Sequence, residues 1–410
     1  TEACEKYKLV LDSIGEELSA LMVERQKLFS HGGQTGDIEQ AIKNLLGSDI
    51  IAVLAKRGFL PRYAFPLDVV TLETGRTRWS RDADVELSRD RGIAIAEFAP
   101  GAQVIAHKKV FTSAGLYVVS KMDKPVRQWY SKCPSCEQIR TAQTQDSLTK
   151  PCPVCQRSIT TQYIQPFVEP LAFSVRVEEK QGTARFRRST LIRQRQTLTH
   201  FIDHIDEERF QDLGLFRVAL KESGALFRYN LGPGNEGFML CLECGCSEPL
   251  RGGYKAGKKH KRLRAFSGTM ECKNEQPWTK PLAYGHQFQS FCLVARPTIA
   301  PSSIESLAFA LQRGLCFALD IEPSDIGVSW RWLANKNDRT GSEIILYDHT
   351  PGGAGFVKEG FDNWEKVMKE ARELCEKCTC EKACYDCLKS YGNQSHHEKL
   401  DRQSVSEFLK

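Results

Sequence analysis

At 410 residues the chain is long enough for two to four domains, and a composition of 41% hydrophobic and 26% charged residues is that of a folded globular protein. No apolar run approaches the ~18 residues needed to cross a bilayer, and no signal peptide opens the chain, so the expectation is a cytoplasmic protein with no membrane partner. The net charge of +6 is modest, which makes the placement of basic residues more informative than their total.

Residues 2–30 carry Leu9, Leu11, Ile14, Leu18, Leu21, Met22 and Leu28 at close to a 3.6-residue period, which predicts an amphipathic helix. His31–Gly36 breaks it. A second helix is expected over Ile38–Leu46, followed by Asp49–Leu60, and such helices ordinarily pack against a neighbouring domain. Pro61 and Pro66 forbid a continuous helix through the next block, and Leu67–Val70 reads as the entry to a strand. Pro100-Gly101 marks a turn, and the alternation that follows, through Leu116, predicts a hairpin.

Sixteen cysteines in a secreted domain would suggest disulfides, but here they cluster in C-x₂-C units inside a large chain, which points to metal in a reducing compartment. Cys133, Cys136, Cys152 and Cys155 form two C-x₂-C steps separated by fifteen residues, the pattern of a zinc ribbon. Four thiolates around one ion fold a segment too small to hold a core of its own.

Between Ala184 and His200 lie Arg185, Arg187, Arg188, Arg193 and Arg195, with Phe186 among them. Guanidinium forks suit phosphate, and an interleaved ring can stack on a base, so this run is a candidate nucleic-acid contact; a solvated or salt-bridged face is the plain alternative. His200 and His204 stand i, i+4, but with no third ligand in view the segment reads as an amphipathic surface helix. Cys241 and Cys244 form another knuckle and Cys272 a later ligand, with His260 or Cys246 as the fourth. The basic stretch between them contains Lys258, Lys259, Lys261 and Arg262, which suits either phosphate or a solvated loop.

Ser303 caps a helix running to Ile321, and Asp325–Leu333 and Glu343–His349 read as strands, the second apolar enough to be central in a sheet. Pro351–Gly355 then turns the chain into a helix expected over Gly360–Leu374. That glycine turn lacks the form of a nucleotide-binding loop and reads as a tight packing turn. Cys378, Cys380, Cys384 and Cys387 fall within ten residues, and thiolates so close together repel unless a metal such as tetrahedral Zn²⁺ binds them.

There is no Walker A sequence, no DEAH-type box and no G-x-S-x-G string in these residues. His397-Glu398-Lys399 begins like the H-x-K of a phospholipase-D-type nuclease, but Ser404 stands where that motif needs Asp. No catalytic residue is assigned, and an enzyme site around His286, Asp348 and the glycine turn is the weakest reading.

The ordered string Asp348, Pro351-Gly352-Gly353-Ala354-Gly355, helix, C-x-C-x₃-C-x₂-C, Leu388–Gln394 and Leu400-Asp401-Arg402 resembles the MrfA-type zinc-binding domain. That domain occurs at the C-termini of large superfamily 2 DEAD/DEAH-box helicases and in the anti-phage systems DISARM and Druantia, in the latter on the helicase component. Leu54–Val70 and Ala94–Leu116 are similar to the segment joining helicase core and zinc domain in the same family. The resemblance implies His260 as the fourth ligand of the second site. It also implies a Thr-Asp pair after Gly285, His286 and Phe288; Ser290 and Phe291 stand there instead, and His286 is expected to be a buried, hydrogen-bonded histidine.

The expected fold is α+β, multi-domain and zinc-stabilised, with a zinc ribbon and a C-terminal α/β zinc-binding domain. The expected segments are a helical packing segment over 1–48, a strand-rich connecting domain over 49–131, the zinc ribbon over 132–166, a β-rich region with the second zinc site over 167–300, and the C-terminal domain over 301–410. The expected cofactor is Zn²⁺, two to three structural ions. The resemblance implies a non-catalytic, DNA-binding accessory region of a superfamily 2 helicase system in phage defence or DNA repair. DNA and the helicase motor, in cis or in trans, are its expected partners. A scaffold that docks a helicase or another protein is the alternative. The chain opens on Thr1, which suits a segment of a longer polypeptide.

Overall fold

In the computed structural model the structure describes residues 69–74, 87–106, 109–118, 125–175, 182–183, 197–250, 260–266, 269–272, 274, 278–333 and 341–410, with scattered positions between 7 and 46. Those early positions are helical, in keeping with the amphipathic pattern, and Leu11, Met22 and Phe29 among them are exposed.

Two fifteen-residue strands, Phe216–Asn230 and Ala283–Pro297, run antiparallel from Phe216↔Pro297 to Asn230↔Tyr284 and form the axis of a nine-stranded sheet. Nearly every position of Ala283–Pro297 is buried, because both faces are covered. One end of this strand pairs in parallel with Ile164–Val168, which leads through Arg127–Lys132 to Ile139–Ala142. The other end pairs antiparallel with Ser342–Asp348, itself paired with Ile326–Trp332. Ser342–Asp348 is buried at all seven positions and lies between two neighbours, as its apolar run predicts.

A six-stranded sheet holds Val69–Glu73, Leu87–Asp90, Gln103–Ala106, Lys109–Leu116, Ala172–Val175 and Gly182–Thr183. The strand expected from Leu67 and the hairpin expected after Pro100-Gly101 are both present, the latter with Val104 opposite Phe111. Helix Arg91–Glu97 covers this sheet, and Leu72, Ile95, Phe98 and Phe173 pack there with Tyr284 from the long strand.

The C-terminal helices cover one face of the large sheet. Helix Ile304–Leu319 begins where Ser303 Oγ accepts from the Ser306 N–H at 3.2 Å. It crosses helix Trp364–Lys377 at Gly314, where a Cβ would stand 2.6 Å from Val367 O and 2.7 Å from Ala371 Cβ. Only glycine lets the two backbones approach this closely.

Two sequence expectations are corrected. The segment His200–Asp206 is no helix: Leu198–Phe201 is an edge strand with His200 opposite Phe227, so His200 and His204 share no helical face. The long neighbouring strand offers a full row of partners, and pairing wins over local helical preference. After the glycine turn there are two helices, Phe356–Asp362 and Trp364–Lys377, broken at Asn363. The first starts earlier than Gly360 because the Asp348 carboxylate accepts the Gly355 N–H at 2.6 Å and the Val357 N–H at 2.9 Å. Asp348 is fully buried, and burial raises its pKa while these donors oppose the rise. The D-x-x-PGGAG string is therefore a cap linking strand to helix.

Candidate metal centres

The first centre is built from two knuckles that fold alike. Cys133 N–H donates to Gln138 O at 2.9 Å and Glu137 N–H to Cys133 O at 3.0 Å; Cys152 N–H donates to Arg157 O and Gln156 N–H to Cys152 O, both at 2.9 Å. Each turn puts the residue after its second cysteine in the left-handed region, Glu137 at φ 63° and Gln156 at φ 58°. Cys133 Sγ lies 3.5 Å from Cys155 Sγ, and Cys136 Sγ 3.5 Å from Cys152 Sγ.

The second centre begins with the same knuckle. Gly245, at φ 76°, donates to Cys241 O at 2.9 Å, and Cys241 N–H donates to Cys246 O at 2.8 Å. Cys246 thus occupies the place of Gln138 and Arg157, where the backbone carbonyl closes the turn. Cys241, Cys244, His260 and Cys272 bring their ligand atoms within 4.8 Å of one another, with His260 Nε2 at 3.0 Å from Cys244 Sγ. The long interval from His260 to Cys272 is taken up by a hairpin, Lys261–Phe266 with Thr269–Glu271, which returns the chain so that Cys272 N–H meets His260 O. Trp278 packs against the His260 ring at 4.7 Å.

The third centre lies at the C-terminal end of helix Trp364–Lys377, with Cys378 as its last cap. Cys378 Sγ is 3.4 Å from Cys380 Sγ and 3.5 Å from Cys384 Sγ; Cys387 Sγ is 3.7 Å from Cys380 Sγ. Arg402 braces it, Nε donating to Cys380 O at 2.7 Å and Nη1 to Cys375 O at 3.1 Å. Buried Asn393 accepts the Ser390 N–H and donates to Leu388 O, fixing the strand of chain that follows Cys387. These bracing residues are what the Leu388–Gln394 and Leu400–Arg402 strings supply; cysteine spacing alone does not reveal them.

Four ligands at ~2.3 Å around a tetrahedral ion stand ~3.8 Å apart, so sulfur separations of 3.4 to 3.8 Å fit zinc. Thiols this close cannot all ionise unaided. Hydrogen bonding from Cys244 holds Cys241 down to about 3, while Cys241 drives Cys244 well above the ordinary thiol range. At the third centre the Cys380 backbone N–H holds Cys378 down to about 7, and burial pushes Cys380 up to about 12. A divalent cation resolves that conflict by binding every cysteine of a set as thiolate, with the neutral His260 ring as fourth ligand at the second centre. Each set has four protein ligands, so the zinc is structural and keeps no open coordination position.

Of the basic residues singled out by sequence, Arg185, Arg187, Arg188, Arg193, Arg195, Lys258 and Lys259 lie outside the described residues. Lys261 is exposed beside the ligand His260, and Arg262 Nε reaches Glu271 O at 3.4 Å. His286 is buried with its ring stacked on Phe288 at 5.3 Å. Ser290, in the place where the resemblance implies threonine, donates to Asp348 O at 2.8 Å. Among the described residues no helix is long and apolar enough to cross a membrane.

Over 408 aligned residues, covering 88% of this chain, the sequence is 23% identical to Druantia protein DruE of Escherichia coli strain UMEA 4076-1. A 45-residue stretch is 38% identical to the uncharacterized ATP-dependent helicase YprA of Bacillus subtilis strain 168, covering 11% of this chain and 6% of that protein. The chain spans only 22% of the length of DruE. The crystal structure of the DUF1998 helicase MrfA bound to DNA aligns with 83% of this chain and 33% of its own, at a TM-score of 0.38 and 13% identity. The form bound to DNA and AMPPNP aligns with 83% and 31%, at a TM-score of 0.35 and 12% identity. Residues 307–388 match the MrfA Zn-binding domain, so the chain carries that domain within a longer zinc-binding region similar to part of DruE.

Proposed function

We propose that this chain is a DNA-binding accessory region that works beside a superfamily 2 helicase motor, in phage defence or DNA repair. The observation that carries the reading is the similarity to DruE along 88% of the chain, which reaches well beyond the matched zinc domain. The chemistry agrees. Three closed tetrads offer no open metal position for catalysis, and Asp348 is committed to backbone donors. The arginines at 185, 187, 188, 193 and 195, with Lys258, Lys259, Lys261 and Arg262, supply phosphate contacts. The motor engages the region in cis or in trans.

The test is titration of the zinc-loaded chain against labelled single-stranded and duplex DNA at several salt concentrations. Binding is expected to weaken steeply with salt, and neutralising the five arginines should flatten the slope by about 0.7–0.9 for each phosphate that they neutralise. Absence of binding to both forms at low salt overturns the reading and leaves a protein-docking scaffold.

A further inference from the structure

The large sheet curls until its edge strand Leu198–Phe201 meets Ile326–Trp332, where Ser329 Oγ donates to Thr199 O at 2.9 Å. Phe201, Leu226, Phe288, Cys292, Ile345 and Tyr347 fill the concave face. Its two ends differ in how their charges are met. At one end Arg296 and Arg331 share the buried carboxylate of Glu343.

At the other end stands Arg228, only 5% exposed. Its Nε donates to Thr199 Oγ1 at 3.1 Å and its guanidinium carbon lies 5.1 Å from the centre of the Phe288 ring. Among the described residues its buried Nη2 has no hydrogen-bond partner and no carboxylate forms an ion pair with it. The acids nearby are engaged elsewhere. Asp90 Oδ1 accepts the Gly92 N–H at 2.8 Å, while Glu169 accepts the Gln287 N–H at 2.7 Å and lies 3.7 Å from Arg91. Gly92 also makes room for the guanidinium, since a Cβ there would stand 2.5 Å from Arg228 Nη1. His286 is opposite Arg228 in the ladder. His349 is exposed, yet crowding by neighbouring atoms and the charge of Arg228 hold its pKa down to about 4. Thr199 beside it is half-buried and His349 is exposed, so this end opens to solvent.

A buried cation without a counter-ion is costly, and its free edge is a planar fork matched to an oxyanion. The geometry points to an oxyanion site at the open end of the curled sheet, anchored by Arg228 and flanked by Thr199 and His349, that takes a phosphoryl group. The group belongs either to a nucleic-acid backbone or to a free phosphate. The site does not depend on the DNA-binding reading, because its response to free phosphate would survive the failure of that reading.

The experiment is thermal unfolding of the zinc-loaded chain in phosphate-free buffer at constant ionic strength, with inorganic phosphate or single-stranded oligothymidylate added. Phosphate at tenfold its Kd should raise Tm by about 2 °C. Arg228→Met should abolish the rise and melt no lower than the parent without phosphate, since it removes an unmet charge. Arg228→Lys, which keeps the charge and loses the fork, should weaken the response at least about fivefold. A response to phosphate alone assigns a free anion, and competition between oligonucleotide and phosphate assigns a strand backbone. A parent protein that answers neither probe overturns the site. So does Arg228→Met that keeps the response, or that melts well below the parent in phosphate-free buffer.

Discussion

Gln156 sits in a backbone region that disfavours every residue with a Cβ, held there by the knuckle it closes. Gln156→Gly should therefore stabilise the chain by about 1 kcal/mol, read as a shift in denaturant midpoint at unchanged zinc content. Cys246 and His260 make a sharper contrast. The Cys246 carbonyl closes a turn that any residue can close, whereas the His260 ring reaches the ligand set. Elemental analysis should find three zinc ions per chain in the parent and in Cys246→Ala, and two in His260→Ala. From residue type alone either could be the fourth ligand, because the bond that settles the matter runs through backbone. The other tetrads were legible because C-x₂-C and C-x-C steps bring ligands together over short distances.

Elements were legible where local pattern and final partner agree. The helix capped by Ser303 and the apolar strand Ser342–Asp348 stand where the sequence predicts them. His200–Asp206 misled because its conformation is decided by a strand some twenty residues on, and nothing in the segment itself announces that partner. The contact of helices at Gly314 was equally invisible, since only the crossing gives that glycine its meaning. Gly314→Val should cost about 2–3 kcal/mol through forced separation of the two helices, measured by chemical denaturation. His396 lies against Phe309 at 5.5 Å and Trp330 at 5.2 Å, and burial lowers its pKa. The folded state then binds fewer protons than the unfolded chain. Its contribution is present above the unfolded value of ~6.5 and is lost as pH falls below it. Comparing denaturation midpoints at pH 7 and pH 5.5, His396→Gln should lose less stability on acidification than the parent, both carrying the same zinc load.

Across the whole molecule, one buried network joins parts that are distant in sequence. Glu343 Oε1 accepts from Arg296 Nε at 2.7 Å and Oε2 from Arg331 Nε, while Arg331 Nη1 donates to Gln138 Oε1 at 2.7 Å beside the first zinc knuckle. Arg296 also meets Glu207 and lies over the Phe210 ring. Removing the shared acid leaves two buried cations, so Glu343→Gln should cost about 3–5 kcal/mol in equilibrium unfolding. Such a link could not be read from composition or spacing, because residues bonded to each other in it are separated by up to 193 positions.

The pairing of Cys292 with Tyr347 and of Ala295 with Ile344 bears on how this architecture can be cut and moved. The stretch matched to the zinc domain begins at residue 307, yet its strand Ser342–Asp348 completes its ladder on a strand that precedes that boundary. A fragment trimmed to the match would lay bare the edge of a strand that is buried at every position, a template for self-association. The transplantable unit is therefore the zinc domain together with both long strands, and grafts that respect the sequence boundary alone should precipitate.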